Sequence, residues 1–157
     1  MNPSPQTQGR FPFNVRVYGL LIEDGNVLVS DEHIDDLSFT KFPGGGLEFG
    51  EGTIECVVRE WKEELDLKVE VLSHFYTTDL FQRSAFNKDD QVISIYYELK
   101  ALEPIMVHLH ASANDLKIGQ KEAFRWLNIE NALVQDLTFK IDQVVLAMLQ
   151  RSQADTY

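Results

Sequence analysis

The chain has 157 residues, with 25 acidic against 14 basic side chains, a formal net charge of −11 at pH 7 and one cysteine. A length of this order suits one domain with a sizeable core, and the acidity argues against non-specific nucleic-acid binding and against an anionic membrane surface as partner. The single Cys56 excludes an internal disulfide network, and no apolar run approaches the length of a membrane span.

Residues 1–10 are polar with two prolines and predict a disordered leader, with one domain over residues 11–157. The start shows no charged-then-apolar signal pattern, so the expectation is a cytoplasmic protein. Residues 15–22 predict a strand, Glu23-Asp24-Gly25-Asn26 a hairpin turn, and residues 27–30 the returning strand. Residues 31–41 read as a polar connection. Phe42, Pro43 and the triple glycine Gly44-Gly45-Gly46 cannot continue a helix. A backbone without side chains can approach a ligand closely, and its carbonyls can face a metal. After a second turn at residues 50–52, Thr53 is the expected N-cap of a helix over residues 53–65. Its apolar residues Ile54, Val57, Val58, Trp61 and Leu65 recur by threes and fours and predict one buried stripe. Further on, residues 69–77 predict a strand and residues 79–91 a loop or long hairpin. Residues 92–102 carry the longest β pattern, and residues 124–129 a short strand. A turn or short helix is expected near residues 130–134. Residues 139–149 predict an amphipathic helix with Ile141, Val144, Val145, Met148 and Leu149 inward. There is no internal repeat and no second-domain linker.

The acids of the first helix carry the chemistry. Glu60 and Glu64 are four apart, and Glu63 is three from Glu60, so they share one side of the helix at the rim of its apolar stripe. On a bare helix such acids repel by a few tenths of a kcal/mol per pair; a divalent cation reverses the sign. An oxygen-only donor set suits Mg²⁺ or Mn²⁺. A solvated acidic face is the alternative, and the glycine loop, Arg59 and the spacing as a whole argue against it. We read the cluster as a cation site suited to cutting a phosphate–phosphate bond, where bound cations would offset the charge of the acids and of the phosphates.

The pattern Gly45, five residues, Glu51, seven residues, Arg59-Glu60, Trp61, one residue, Glu63-Glu64 closely resembles the Nudix box. Its one departure is Asp66, where the family usually has the glycine of a left-handed helix exit, a conformation that Asp tolerates better than most residues. The resemblance implies an α/β/α sandwich with a mixed β-sheet and hydrolysis of a pyrophosphate bond in a small nucleotide-type substrate. It further implies Glu60 and Glu64 as main metal ligands, Glu63 as a further ligand, direct or through water, and the Gly44 carbonyl as another. Glu51 and Arg59 would form an ion pair that fixes the loop. The general base differs between members; Glu63 inside the box and Glu122 outside it are both candidates. A homodimer is the assembly that the family suggests. A nucleotide-sensing module without turnover is the alternative function, although degenerate domains of that kind lose box acids that this chain keeps. An isomerase or other transferase on the same fold would call for a reactive residue such as a cysteine outside the helix, which the chain lacks.

Substrate selection is expected outside the box. Phe81 and Phe86 can stack on a base, while Arg83, Lys88 and Arg16 can reach a phosphate. His108 and His110 alternate but lack a third ligand, so they read as surface residues. Cys56 and Trp126 read as packing residues.

Overall fold

The structure, a computed structural model, describes residues 12–156; the leader expected over residues 1–10 lies outside them. Asp24 and Gly25, with φ of 49° and 76°, turn β1 (Phe13–Glu23) back into β2 (Asn26–Ile34). Two successive positive-φ residues match the right-handed twist of the strands that they join. β3 (Leu37–Lys41) and β4 (Gly44–Gly46) follow, then α1 (Thr53–Leu65), β5 (Val69–Thr77), β6 (Gln91–Ala101), β7 (Glu122–Asn128) and α2 (Lys140–Ala154). Short 3₁₀ turns lie at Ala113–Asp115 and Val134–Asp136.

The seven strands form one mixed sheet in the order β3-β2-β1-β6-β5, with β4 also on β1 and β7 also on β2. β1 runs parallel to β6 from Phe13 to Leu21. Its other edge is divided: Arg16–Tyr18 pair with Gly46–Gly44, and only Ile22 and Glu23 pair with β2. Alternation along the strands sends successive side chains to opposite faces. Val17, Leu21, Leu28 and Leu99 pack with Val57, Trp61 and Leu65 of α1. Leu20, Val27, Val29 and Tyr96 pack with Ile141, Val145, Leu146 and Leu149 of α2. A helix therefore covers each face, the α/β/α sandwich that the resemblance implied. Among the described residues no helix is long and apolar enough to cross a membrane.

Trp61 sets the distance between α1 and the sheet. It is fully buried, its indole N–H donates to the Pro43 carbonyl at 3.2 Å, and its ring lies over Gly19. A Cβ on Gly19 would meet Trp61 Nε1 at 2.5 Å and Leu99 Cδ1 at 2.2 Å. Gly19→Ala is therefore expected to destabilise the protein by about 1–3 kcal/mol through overpacking, read as a lower urea midpoint with an unchanged slope.

Residues 31–41 are not a connection. β2 runs to Ile34, Asp35 turns the chain with φ of 52°, and β3 returns from Leu37, with Ser30 opposite Lys41 and Ile34 opposite Leu37. Charge hides this hairpin from hydropathy. Asp31 and Lys41 are 3% and 5% exposed, and each is neutralised by a residue distant in sequence or across the strand. Arg125 donates to Asp31 at 2.7 Å, as does the Thr40 hydroxyl at 2.6 Å, and Lys41 meets Glu32 at 2.8 Å.

α1 spans the expected residues, with two local corrections. Ile54 is 52% exposed, and Cys56 takes its place in the buried stripe, its thiol facing the Gly46 carbonyl of β4 at 3.5 Å. The N-cap is Gly52, whose N–H is taken by the Glu55 carboxylate at 2.8 Å, while the Thr53 hydroxyl pairs with that of Tyr97 at 2.6 Å. Asp66 ends the helix in the left-handed conformation, φ 49° and ψ 36°. The terminal helix begins at Lys140 and runs beyond residue 149 to Ala154; it buries Leu146 and Asp142 besides Ile141, Val145 and Leu149, while Val144 and Met148 are half-buried.

Candidate active site

Gly44 and Gly45 of β4 are required by what touches them, whereas Gly46 has room for a Cβ. Gly44 has φ of 154°, and a Cβ there would lie 2.1 Å from the Val17 carbonyl oxygen. A Cβ on Gly45 would meet the Glu60 carboxyl group at 2.5 Å, so the Glu60 side chain lies directly on the loop backbone. Arg59 ties this loop to the helix. Its Nε donates to Glu51 Oε2 at 2.9 Å, and one terminal nitrogen reaches Glu51 Oε1 at 2.7 Å and the Gly46 carbonyl at 3.2 Å. The other terminal nitrogen reaches Glu60 at 3.0 Å and Glu63 at 3.1 Å. Hydrogen bonds from Arg59, helped by the Glu48 N–H, hold the Glu51 carboxyl down at about 2. The same acids, Glu51 first, hold the Arg59 proton more firmly than usual.

One turn along α1, Glu64 has a different environment. Its Oε2 is buried and has no hydrogen-bond partner. Burial pushes its carboxyl up to about 8, and the charge of Lys41 opposes that rise while Glu122, Glu60 and Glu32 add to it. Glu122 faces it from β7. Ser30 donates its hydroxyl to Glu122 at 2.9 Å, and burial together with neighbouring Glu32 raises the Glu122 carboxyl. Glu32 lies opposite Glu122 across the β2–β7 register. Lys41 completes the group: its ammonium contacts Glu32 and donates to the Gly44 carbonyl at 3.4 Å. Sequence reasoning missed Glu32 and Lys41. The only signal was their two-residue spacing from Ser30 and Phe39 along strands that charge had disguised.

Among the described residues, no three histidine, cysteine, aspartate or glutamate side chains are gathered into a cation cage. Arg59 draws Glu60 and Glu63 toward itself, and Lys41 draws Glu32. The residues nevertheless fit a hard divalent cation. The donors are carboxylate and carbonyl oxygens, and Glu64 keeps a desolvated oxygen that protein donors leave unmet.

A cavity of about 240 Å³ adjoins this cluster and shares Glu32 and Lys41 with it. Arg16, Tyr18 and Arg83 line it together with the aromatic rings of Phe39, Phe86 and Phe139. Phe86 meets Phe39 edge-on at 5.6 Å, and Phe139 lies 5.4 Å from Phe39. Asp142 lines the cavity although it is only 2% exposed, and its Oδ1 accepts the Tyr96 hydroxyl at 2.6 Å. Burial pushes its carboxyl up to about 7, against the pull of that hydrogen bond and of Lys41 and Arg16. Asp142 was not foreseen, because its helix pattern resembles any other polar position at the start of a helix. Of the residues considered for substrate, Arg16, Arg83 and Phe86 border the cavity, and Phe81, 65% exposed, lies outside the lining with Lys88, while Glu122, the base candidate outside the box, stands in the acid cluster. Arg16 Nε donates to the Tyr18 hydroxyl at 2.8 Å. His108 and His110 pack ring to ring at 5.1 Å and do not line the cavity; the Gln120 amide lies 3.4 Å from His110 Nε2 and donates to the Glu122 backbone carbonyl at 3.1 Å. Burial raises the Cys56 thiol to about 12, in keeping with a packing role rather than a nucleophilic one.

Similarity to known proteins follows the same lines. The solution structure of the E. coli ORF135 protein superposes with a TM-score of 0.70 at 18% identity, covering 92% of this chain and 94% of that one. A UDP-X diphosphatase gives a TM-score of 0.62 at 19% identity, over 95% of this chain and 68% of that one. An ADP-ribose pyrophosphatase from Streptococcus suis gives 0.55 at 17% identity, over 89% and 92%. At these identities the likeness speaks for the fold. The family itself is shown by the sequence: the family model of the NUDIX domain matches residues 11–148, which take in the glycine loop, the acidic helix, Glu122 and the first turns of α2, and the chain belongs to the NUDIX domain family.

Proposed function

We propose that this Nudix-type hydrolase cleaves a pyrophosphate bond in a nucleoside diphosphate derivative: a nucleoside diphosphate sugar, ADP-ribose, a dinucleoside polyphosphate or a nucleoside triphosphate. Glu60 and Glu64 would hold Mg²⁺ or Mn²⁺, with Glu63 as a further ligand and the Gly44 carbonyl completing an all-oxygen set. The observation that carries this reading is the buried Oε2 of Glu64, which has no hydrogen-bond partner and shares its surroundings with Lys41 and the further acids Glu122, Glu60 and Glu32. A desolvated carboxylate oxygen in that position calls for a cation. A divalent ion bound there supplies charge neutralisation for the diphosphate and activates water for in-line attack.

The remaining steps belong to the chain's own residues. Arg59 keeps Glu51 and Glu60 against the loop, so the ligand oxygens stay on the helix face that borders the substrate. Glu122 suits the role of proton acceptor better than Glu63. It is part-buried beside Glu32 and has a raised proton affinity, whereas Glu63 is exposed and engaged by Arg59. Phe39 and Phe86 offer apolar walls for a flat base, and Asp142 offers an acceptor to a base amino group. Arg16, with Arg83 at the rim, offers positive charge to the phosphates. The names of the UDP-X diphosphatase and the ADP-ribose pyrophosphatase agree with a substrate of this class.

The test is a panel of nucleotide derivatives, with and without Mg²⁺, read as released phosphate or mononucleotide. Turnover that requires the cation supports the reading. Tight binding with no turnover across the panel would replace it with the nucleotide-sensing alternative. Asp142→Asn in the same panel, run at about pH 8.5, above the value of about 7 to which burial raises the carboxyl, is expected to lower kcat/KM about 10-fold for bases that carry an amino group, through loss of the charge that assists one hydrogen bond. An equal loss for uracil-containing substrates would remove Asp142 from base recognition.

A further inference from the structure

Lys41 is a buried cation whose ammonium lies among oxygens that a divalent ion would need. It is 5% exposed, and its Nζ is 2.8 Å from Glu32 Oε1 and 3.4 Å from the Gly44 carbonyl oxygen. The ammonium also stands 5.6 Å from the centre of the Tyr18 ring and faces Glu64 electrostatically. A divalent cation on the Gly44 carbonyl would meet this ammonium at contact distance, where like charges repel strongly in a part-buried site. We propose that Lys41 is a resident counter-ion that competes with the divalent cation for the Gly44 carbonyl. It keeps the acids together while no divalent ion is bound and gives way when one enters. This inference rests on the hydrolase reading for the identity of the ligand oxygens.

The cavity provides the place to which Lys41 moves. Lys41 lines it together with Arg16, and a four-carbon stem lets the ammonium leave Gly44 without backbone movement. In the cavity the ammonium would face the negative charge of a bound substrate. Substrate and cation would then favour each other's binding, because the substrate's charge would hold the ammonium away from the carbonyl that the cation takes.

The test uses Mn²⁺ alone as the probe and the substrate-free full chain, titrated by calorimetry and by the loss of the free-ion paramagnetic resonance signal. Lys41→Met is expected to bind Mn²⁺ at least about 10-fold more tightly than the wild type, because a like charge is removed and Glu32 is released. Lys41→Arg, which keeps the charge, is expected to stay close to the wild type. Lys41→Gln serves the same purpose if the methionine variant fails to fold. A neutral variant that melts normally and binds Mn²⁺ no more tightly than the wild type overturns the proposal, as does an arginine variant that gains as much affinity as methionine. Wild-type binding that is lost in Glu64→Gln but unaltered in Lys41→Met removes this inference and leaves the hydrolase reading standing. Absence of Mn²⁺ binding by the wild type itself removes both.

Discussion

Glu64→Gln is expected to lower kcat by about 1,000-fold while leaving the fold intact. The substitution keeps the volume of the side chain and takes away only its charge. Glu64 is also an unusual residue to lose, because in the substrate-free protein it contributes an unpaired, desolvated oxygen rather than a contact. Burial of an unpartnered carboxylate costs stability. The metal-free Glu64→Gln variant is therefore expected to melt at the same temperature as the wild type or higher, even as activity disappears. Steady-state kinetics with saturating Mg²⁺ and a thermal melt in chelator check the two halves. Wild-type turnover in this variant would end the assignment of the metal site. A lower melting temperature in chelator would show that Glu64 has a partner that geometry does not reveal.

Arg59→Ala carries the second large effect, by a different route. Arg59 is the one cation among the described residues that reaches Glu48, Glu51, Glu60 and Glu63 together, and it also holds the Gly46 carbonyl. Without it the loop loses its tie to α1, and those carboxylates repel one another. Activity is expected to fall about 100-fold through misplacement of Glu60 and the loop backbone. Hydrogen exchange should quicken over residues 46–52 while the strands keep their protection. Because Glu51 acts through Arg59, the Glu51→Gln, Arg59→Ala double variant should lose little more than Arg59→Ala alone. Fully additive losses would show that the two residues act separately. Arg59→Lys should recover only part of the activity, since an ammonium cannot reproduce the fork that binds both oxygens of Glu51.

The acidic helix was legible in the chain because its information is local. Three- and four-residue spacings place Val57, Trp61 and Leu65 inward, and the same arithmetic puts Glu60, Glu63 and Glu64 on one flank. The Asp24-Gly25 turn and the left-handed exit at Asp66 were legible for the same reason, since each is a property of one or two residues. The box, with its glycines and Arg59, carried the family and the expected sandwich. What the chain could not disclose was the second half of the site. Residues 31–41 look like a loop because Asp31, Glu32 and Lys41 are charged, and their burial depends on Arg125, on Glu32 facing Lys41, and on β7 arriving from far along the sequence. Tertiary structure alone decided that Glu122 stands beside Glu32 and Glu64, that Asp142 lines an aromatic cavity, and that Lys41 reaches the Gly44 carbonyl. A helix face follows from the spacing of its own residues, but a buried charge is defined by partners that only the folded sheet brings to it.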